Sequence, residues 1–132
     1  MQSNLSRQER PGFILQHADN SKYQGVLPEA DIVFGGGGGE RAESIKVYLQ
    51  LDGAQRIAQA AFEADGTTLG RAAASFTIEN IIGKTLTEVL DLSPELILDT
   101  FGRDIAGERV RSATVTLDTI KVATRKYLNR NL

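Results

Sequence analysis

The clearest period along the chain runs from Ser44 to Leu51. Ile45, Val47, Leu49 and Leu51 are apolar there and alternate with Lys46, Tyr48 and Gln50. A period of two puts each set on its own face, which predicts a half-buried strand. Asp52-Gly53 follows as a turn signal. Arg56–Glu63 reads as a second strand, with Ile57 and Phe62 its strongest apolar members, so the pair forms an antiparallel hairpin with one covered face. Upstream, Asp31-Ile32-Val33-Phe34 is a short strand candidate that runs into Gly35–Gly39. That tract is expected to be a loop, because five glycines lose much backbone entropy in any regular element. Residues 1–29 are polar, hold Pro11 and Pro28, and are expected to be partly flexible, with a helical turn or two around Phe13 to His17.

From Leu69 onward the period changes. Ala74, Ile78, Ile81 and Ile82 fall at helical spacing, with Gly83 placed as a C-terminal cap. A short helix is predicted over Thr85–Leu92, with Glu88 at its third position. Another opens at Ser93-Pro94, where Ser93 caps and Pro94 takes the first helical position, and ends near Phe101-Gly102. A last helix is predicted from Ser112 to Leu128, with Leu117, Ile120, Ala123 or Thr124, and Tyr127 on one stripe. Strands first and helices afterwards give an α+β fold, a small antiparallel sheet covered on one face by helices.

The 132 residues are the size of one domain, 1–132, and can bury a core without a disulfide or metal staple. Fifteen Lys and Arg against seventeen Asp and Glu leave a formal charge of -2, which argues against a dedicated nucleic-acid or anionic-membrane binder. No apolar run reaches the length of a membrane span, and the first residues lack the apolar stretch of a signal peptide, so a cytoplasmic protein is expected.

Cysteine is absent and His17 is the one histidine. That excludes disulfides, thiol catalysis and any Cys/His metal cage. The glycine tract does not read as a phosphate loop, because Glu40-Arg41 follows it where Lys-Ser/Thr would open a helix. His17 reads as a packed or surface histidine on an N-terminal turn. Asp19, Asp31, Asp65 and Asp104 are scattered and share no acid–base spacing. Thr67 and Thr68 lie between the second strand and a helix, Ser112 at the start of the last helix, and Arg41 just after the glycines. Thr67 and Ser112 are expected to cap helices.

At these positions the sequence resembles the iron–sulfur cluster scaffold family, of the IscU and NifU N-terminal type. His17-Ala-Asp-Asn-Ser-Lys-Tyr-Gln-Gly25 resembles the family's His-Tyr-x-Asn-Pro-Arg-Asn-x-Gly. Gly36–Glu43 resembles Gly-Gly-Asn-Pro-x-Cys-Gly-Asp and leads into the strand ending Leu51-Asp52-Gly53. Phe62–Ser75 resembles Phe-x-Gly-x-Gly-Cys-Ala-Ile-Ser-x-Ala-Ser-Ala-Ser, and Gly83-Lys84-Thr85-Leu86 also fits. The order is ungapped from Gly36 to Leu86.

The resemblance implies three ligand cysteines, which by register fall on Arg41, Thr67 and Ser112, and an assisting aspartate, which becomes Glu43. The family's chaperone-recognition stretch falls on Ile105–Arg109 and keeps neither proline. Hydroxyls stay protonated near neutrality, and Arg cannot deprotonate. A cluster that needs four ligands, mostly thiolates, is therefore not expected, nor any other cofactor or metal. The expectation is a cysteine-free scaffold homologue, not an enzyme, acting as a partner-binding or regulatory member of metallocofactor assembly. The partner would be a cysteine desulfurase or another iron–sulfur assembly protein. The alternative is an anion or small-molecule module built on Arg41, Thr67, Thr68 and Ser112, where helix N-termini and a guanidinium would meet. An Arg41–Glu43 ion pair plugging the vacated pocket is the simplest competitor.

Overall fold

The computed structural model describes residues 10–19, 22–37, 44–65, 67–102 and 110–130. The elements run in chain order as α1 (Arg10–Asp19), β1 (Ile32–Gly37), β2 (Ser44–Leu51), β3 (Ile57–Asp65), α2 (Thr68–Ile81), α3 (Leu86–Leu90), α4 (Glu95–Phe101) and α5 (Val110–Leu128). The three strands form one antiparallel meander, each paired with its neighbour in sequence.

The alternation in β2 does what its period implies. Ile45, Val47 and Leu49 are buried and share a cluster with Ile57 and Phe62 of β3, Ala74, Ile78 and Ile81 of α2, and Ile120 and Ala123 of α5. The expected α+β fold, with helices over one face of the sheet, is present. Tyr48 departs from the simple pattern. It is buried on the opposite face, where its hydroxyl donates to the Glu63 carboxylate across the strand pair.

The glycine tract needs correction. Gly35, Gly36 and Gly37 belong to β1 and pair with Lys46, Ile45 and Ser44. The sheet partner supplies the hydrogen bonds that offset glycine's entropy, which the tract read alone could not reveal. Residues 38–39 lie outside the described residues.

The hairpin turn also differs. The residue with positive φ is Gln55, at 59°, rather than Gly53. The Asp52 carboxylate accepts from the backbone N–H of Ala54 at 2.8 Å and of Arg56 at 3.0 Å, so an aspartate-centred loop replaces a two-residue turn. β2 is irregular between Gln50 and Leu51, and the Leu51 N–H there reaches the Asp31 carboxylate at 2.7 Å.

α2 is the central helix, buried on nearly every side. Ala74, Ile78 and Ile81 face the sheet, while Leu69, Ala72, Ala73 and Phe76 enter a second cluster with Ile14 and Ala18 of α1, Ile97, Leu98 and Phe101 of α4, and Ala113 and Leu117 of α5. The alanines let helices approach α2 from two sides. α2 and α4 both lead into a positive-φ glycine, Gly83 at 93° and Gly102 at 91°. α3 carries a full capping box between Thr85 and Glu88. The Ser93 hydroxyl accepts from the Glu95 N–H at 3.1 Å, but the helix begins one residue later than expected, with Pro94 rather than Ser93 at the N-cap position.

α1 is a ten-residue helix packed on α2, longer than the predicted turn or two. α5 begins at Val110, so Ser112 lies inside its first turn and is not a cap before it.

Candidate functional site

Three pieces of backbone meet at one end of the sheet. The register pairs Gly37 with Ser44 and Ser44 with Asp65, so the end of β1, the start of β2 and the exit of β3 lie side by side. Two residues beyond Asp65, Thr67 opens α2. Leu69 of α2 and Ala113 of α5 are both buried in the same apolar cluster.

Thr67 is the best-defined of the candidate residues. Its backbone is extended, with φ -79° and ψ 164°, and its hydroxyl accepts from the Gly70 N–H at 3.1 Å. It is the N-cap of α2, as its place before the apolar period suggested. Thr68 is the first residue of α2 and is exposed. Ser112, the residue before Ala113, lies in the first turn of α5. Arg41 and Glu43, and with them the Arg41–Glu43 pair, lie outside the described residues, as do Ile105–Arg109. Among the described residues, Thr67 and Thr68 stand at the opening of α2, two and three residues beyond the exit of β3, and Ser112 stands in the first turn of α5.

The donor set does not suit an iron–sulfur cluster. The chain has no thiol, and the Thr67 hydroxyl is engaged in capping. Among the described residues, no three His, Asp or Glu side chains gather as metal ligands would. No described helix is long and apolar enough to cross a membrane.

His17 is packed away from solvent on α1. Its Nδ1 lies 3.1 Å from the Ser75 hydroxyl of α2, and its ring meets Phe76 edge-on, with centroids 5.8 Å apart. Burial lowers its pKa from the ordinary value, and the nearby Glu79 carboxylate partly opposes that.

A second polar junction lies at the opposite end of the sheet and was not apparent from the sequence. Arg56 bonds the Gly83 carbonyl at 3.0 Å and stands 3.8 Å from the Glu88 carboxylate. The Asp52 carboxyl is held below its usual pKa by the Arg56 and Ala54 N–H groups. The Glu88 carboxyl is lowered likewise by bonds from the Thr85 backbone and hydroxyl. This cluster ties the hairpin loop to the turn between α2 and α3, and it reads as structural.

Comparison with known proteins agrees with the fold. The family model described as the NifU-like N terminal domain matches residues 10–132. The iron–sulfur cluster assembly scaffold protein IscU of Thermotoga maritima is 27% identical over 105 residues, covering 80% of this chain and 73% of that protein. A crystal structure of a scaffold protein named for the SUF system of Fervidobacterium islandicum superposes with a TM-score of 0.71 at 21% identity, covering 85% of this chain and 93% of the other. A NifU-like N-terminal structure from Brucella abortus gives a TM-score of 0.74 at 22% identity, covering 95% and 99% of the two chains. At these identities the two structures speak to the fold alone.

Proposed function

Because the chain belongs to the NifU-like N-terminal domain family, we propose that it serves iron–sulfur cluster assembly as a partner-binding or regulatory scaffold homologue. In this reading it does not carry the cluster on its own side chains. The observation that carries the reading is the absence of any cysteine in a chain that keeps the family's fold. A cluster is cargo for a scaffold, and loading needs thiolates to hold iron and a thiol to receive sulfur. Arg41, Glu43, Thr67 and Ser112, the positions assigned by register to the ligands, offer at most one carboxylate among them. One carboxylate is not a site. Catalysis is not part of the proposal either. The His17 ring, the one imidazole available as a base, is buried between α1 and α2.

What remains is a surface. A cysteine desulfurase or a cysteine-bearing scaffold would dock on it, in the cytoplasm, and the bound chain would compete with or hold in place a working scaffold.

Two measurements on the purified protein test this. Iron, sulfide and zinc are determined after reconstitution, and binding to a purified cysteine desulfurase and to a purified cysteine-bearing scaffold is followed by calorimetry. The reading expects no stoichiometric metal and saturable binding. One cluster per chain would overturn it, and so would the lack of binding to both desulfurase and scaffold. An inorganic anion that raises thermal stability in the absence of partner binding would favour the small-molecule alternative.

A further inference from the structure

β1 and β3 are the two edges of the sheet, and the described residues cover only one of them. The Phe62 N–H donates to the Tyr23 carbonyl and the Gly25 N–H to the Phe62 carbonyl, each at 2.8 Å, while the Ile57 N–H reaches the Lys84 carbonyl at 2.9 Å. The chain thus covers the outer edge of β3 itself. β1 packs on β2 and α5. Among the described residues, no backbone hydrogen bond reaches its other edge. A bare row of N–H and C=O groups is a template for another strand, and charge or proline usually blunts it. Ile32–Gly37 holds neither.

Cations flank this edge on both faces of the sheet. On the helix side, the Lys126 ammonium of α5 lies 5.1 Å from the Phe34 ring centroid. On the open side, Lys46 stands opposite Gly35 in register, its ammonium 5.7 Å from the Tyr48 ring centroid. Both lysines are exposed. Among the described residues neither pairs with a carboxylate, and Glu63, across from Lys46 on β3, takes the Tyr48 hydroxyl instead. Gly35 leaves the way from Lys46 to the edge open, since a Cβ there would meet nothing nearer than the Ile45 carbonyl oxygen at 3.9 Å. Val115, Val122 and Lys126 follow one line of α5, at spacings of seven and four. Val122, 38% exposed, stands one turn from Lys126.

We propose that β1 accepts an extended acidic segment of a partner protein as an added strand, with α5 as one wall of the groove. Successive strand residues point to opposite faces, so two adjacent carboxylates would meet Lys46 on the open face and Lys126 on the helix face. The added strand would lie about 10 Å from β2, a distance that a lysine and a glutamate side chain span together. Two residues from the acid that faces Lys126, about 6.8 Å along the strand, an apolar side chain would meet Val122. Main-chain bonding gives such a complex its affinity and the side chains its selectivity. A nucleic acid does not match this edge, because its phosphates offer no N–H to the carbonyls and are repelled by them. The proposal stands apart from the iron–sulfur reading: it fixes the chemistry of the docking segment, whichever protein bears it.

The probe is the acetylated, amidated peptide Thr-Val-Thr-Glu-Asp-Thr-Val-Thr, with Thr-Val-Thr-Lys-Lys-Thr-Val-Thr as its charge-reversed control. Binding is read by fluorescence anisotropy and by amide hydrogen exchange. The wild-type protein should bind the acidic peptide saturably and the control at least about tenfold more weakly. Alternate amides of β1 should gain protection when the acidic peptide is bound. Lys46→Glu with Lys126→Glu, at unchanged circular dichroism, should reverse the preference. No binding, equal binding of the two peptides, a preference that the folded double variant keeps, or binding that leaves the β1 amides unprotected would each overturn the proposal. So would β1 amides already protected along the outer edge before peptide is added, by a second copy or by another part of the chain. If the double variant does not fold, the peptide preference and exchange pattern of the wild type decide the matter.

Discussion

His17 Nδ1 and the Ser75 hydroxyl stand 3.1 Å apart, and the contact fastens α1 to the central helix. The imidazole has its pKa lowered by burial, so the unfolded chain takes up a proton more readily than the folded one. Stability is therefore complete above the ordinary histidine pKa of 6.5 and falls as pH drops below it, levelling once the folded imidazole is also charged. Urea midpoints measured at successive pH values should decline through that window. In His17→Gln the slope assigned to this residue should vanish, with a loss of about 1 kcal/mol at neutral pH for the altered hydrogen bond.

Thr67 caps α2 through the Gly70 N–H. Thr67→Ala should destabilise the protein by about 0.5–2 kcal/mol, while Thr67→Ser should stay near wild type, because either hydroxyl can accept the bond. Equilibrium denaturation of both variants checks this. An alanine variant as stable as wild type would mean that the hydroxyl is not a cap.

Gly35 lies within β1, and a Cβ built there meets only the Ile45 carbonyl oxygen, at 3.9 Å, an ordinary contact. Gly35→Thr should therefore raise stability, by about 0.4–1 kcal/mol, through the reduced freedom of the unfolded chain. A loss of stability would place Gly35 in a backbone conformation that only glycine tolerates.

Arg41→Cys, Thr67→Cys and Ser112→Cys together test the assignment of these positions to the family's ligands. If the three converge, they supply three thiolates with Glu43 as a fourth ligand, and the triple variant should bind one zinc with Zn–S distances of about 2.3 Å. Each single variant should bind far more weakly. Zinc competition assays and thermal shift read the outcome, since a ligand of the folded state raises its stability. A folded triple variant with no gain in zinc affinity would show the register to be wrong.

The parts of the fold that were legible in the sequence are those whose pattern records a covered face. Ile45, Val47 and Leu49 alternate because helices lie on one side of them, and the Thr85–Glu88 capping box is written in four consecutive residues. Gly35–Gly37 were misread because strand pairing is a property of the partner, here Ser44–Lys46, and not of the glycines. The signal for α1 was present in Ile14, His17 and Ala18, spaced three and four apart, but the prolines around it obscured the helix. At the candidate site, the capping role of Thr67 could be anticipated from its neighbours. The Arg56–Glu88 junction could not, since it joins a hairpin loop to a helix cap far along the chain.

The meander order of the sheet carries a kinetic corollary. β1, β2 and β3 each pair with the next strand along the chain, so the sheet closes only short loops and should assemble early. The contact of α5 with β1 and β2 spans a long stretch of sequence and should form late. In that interval Val47 and Leu49, fully buried in the finished protein, lie open on a ready-made apolar surface. Aggregation during refolding should therefore track the rate at which α5 docks more closely than the stability of the strands.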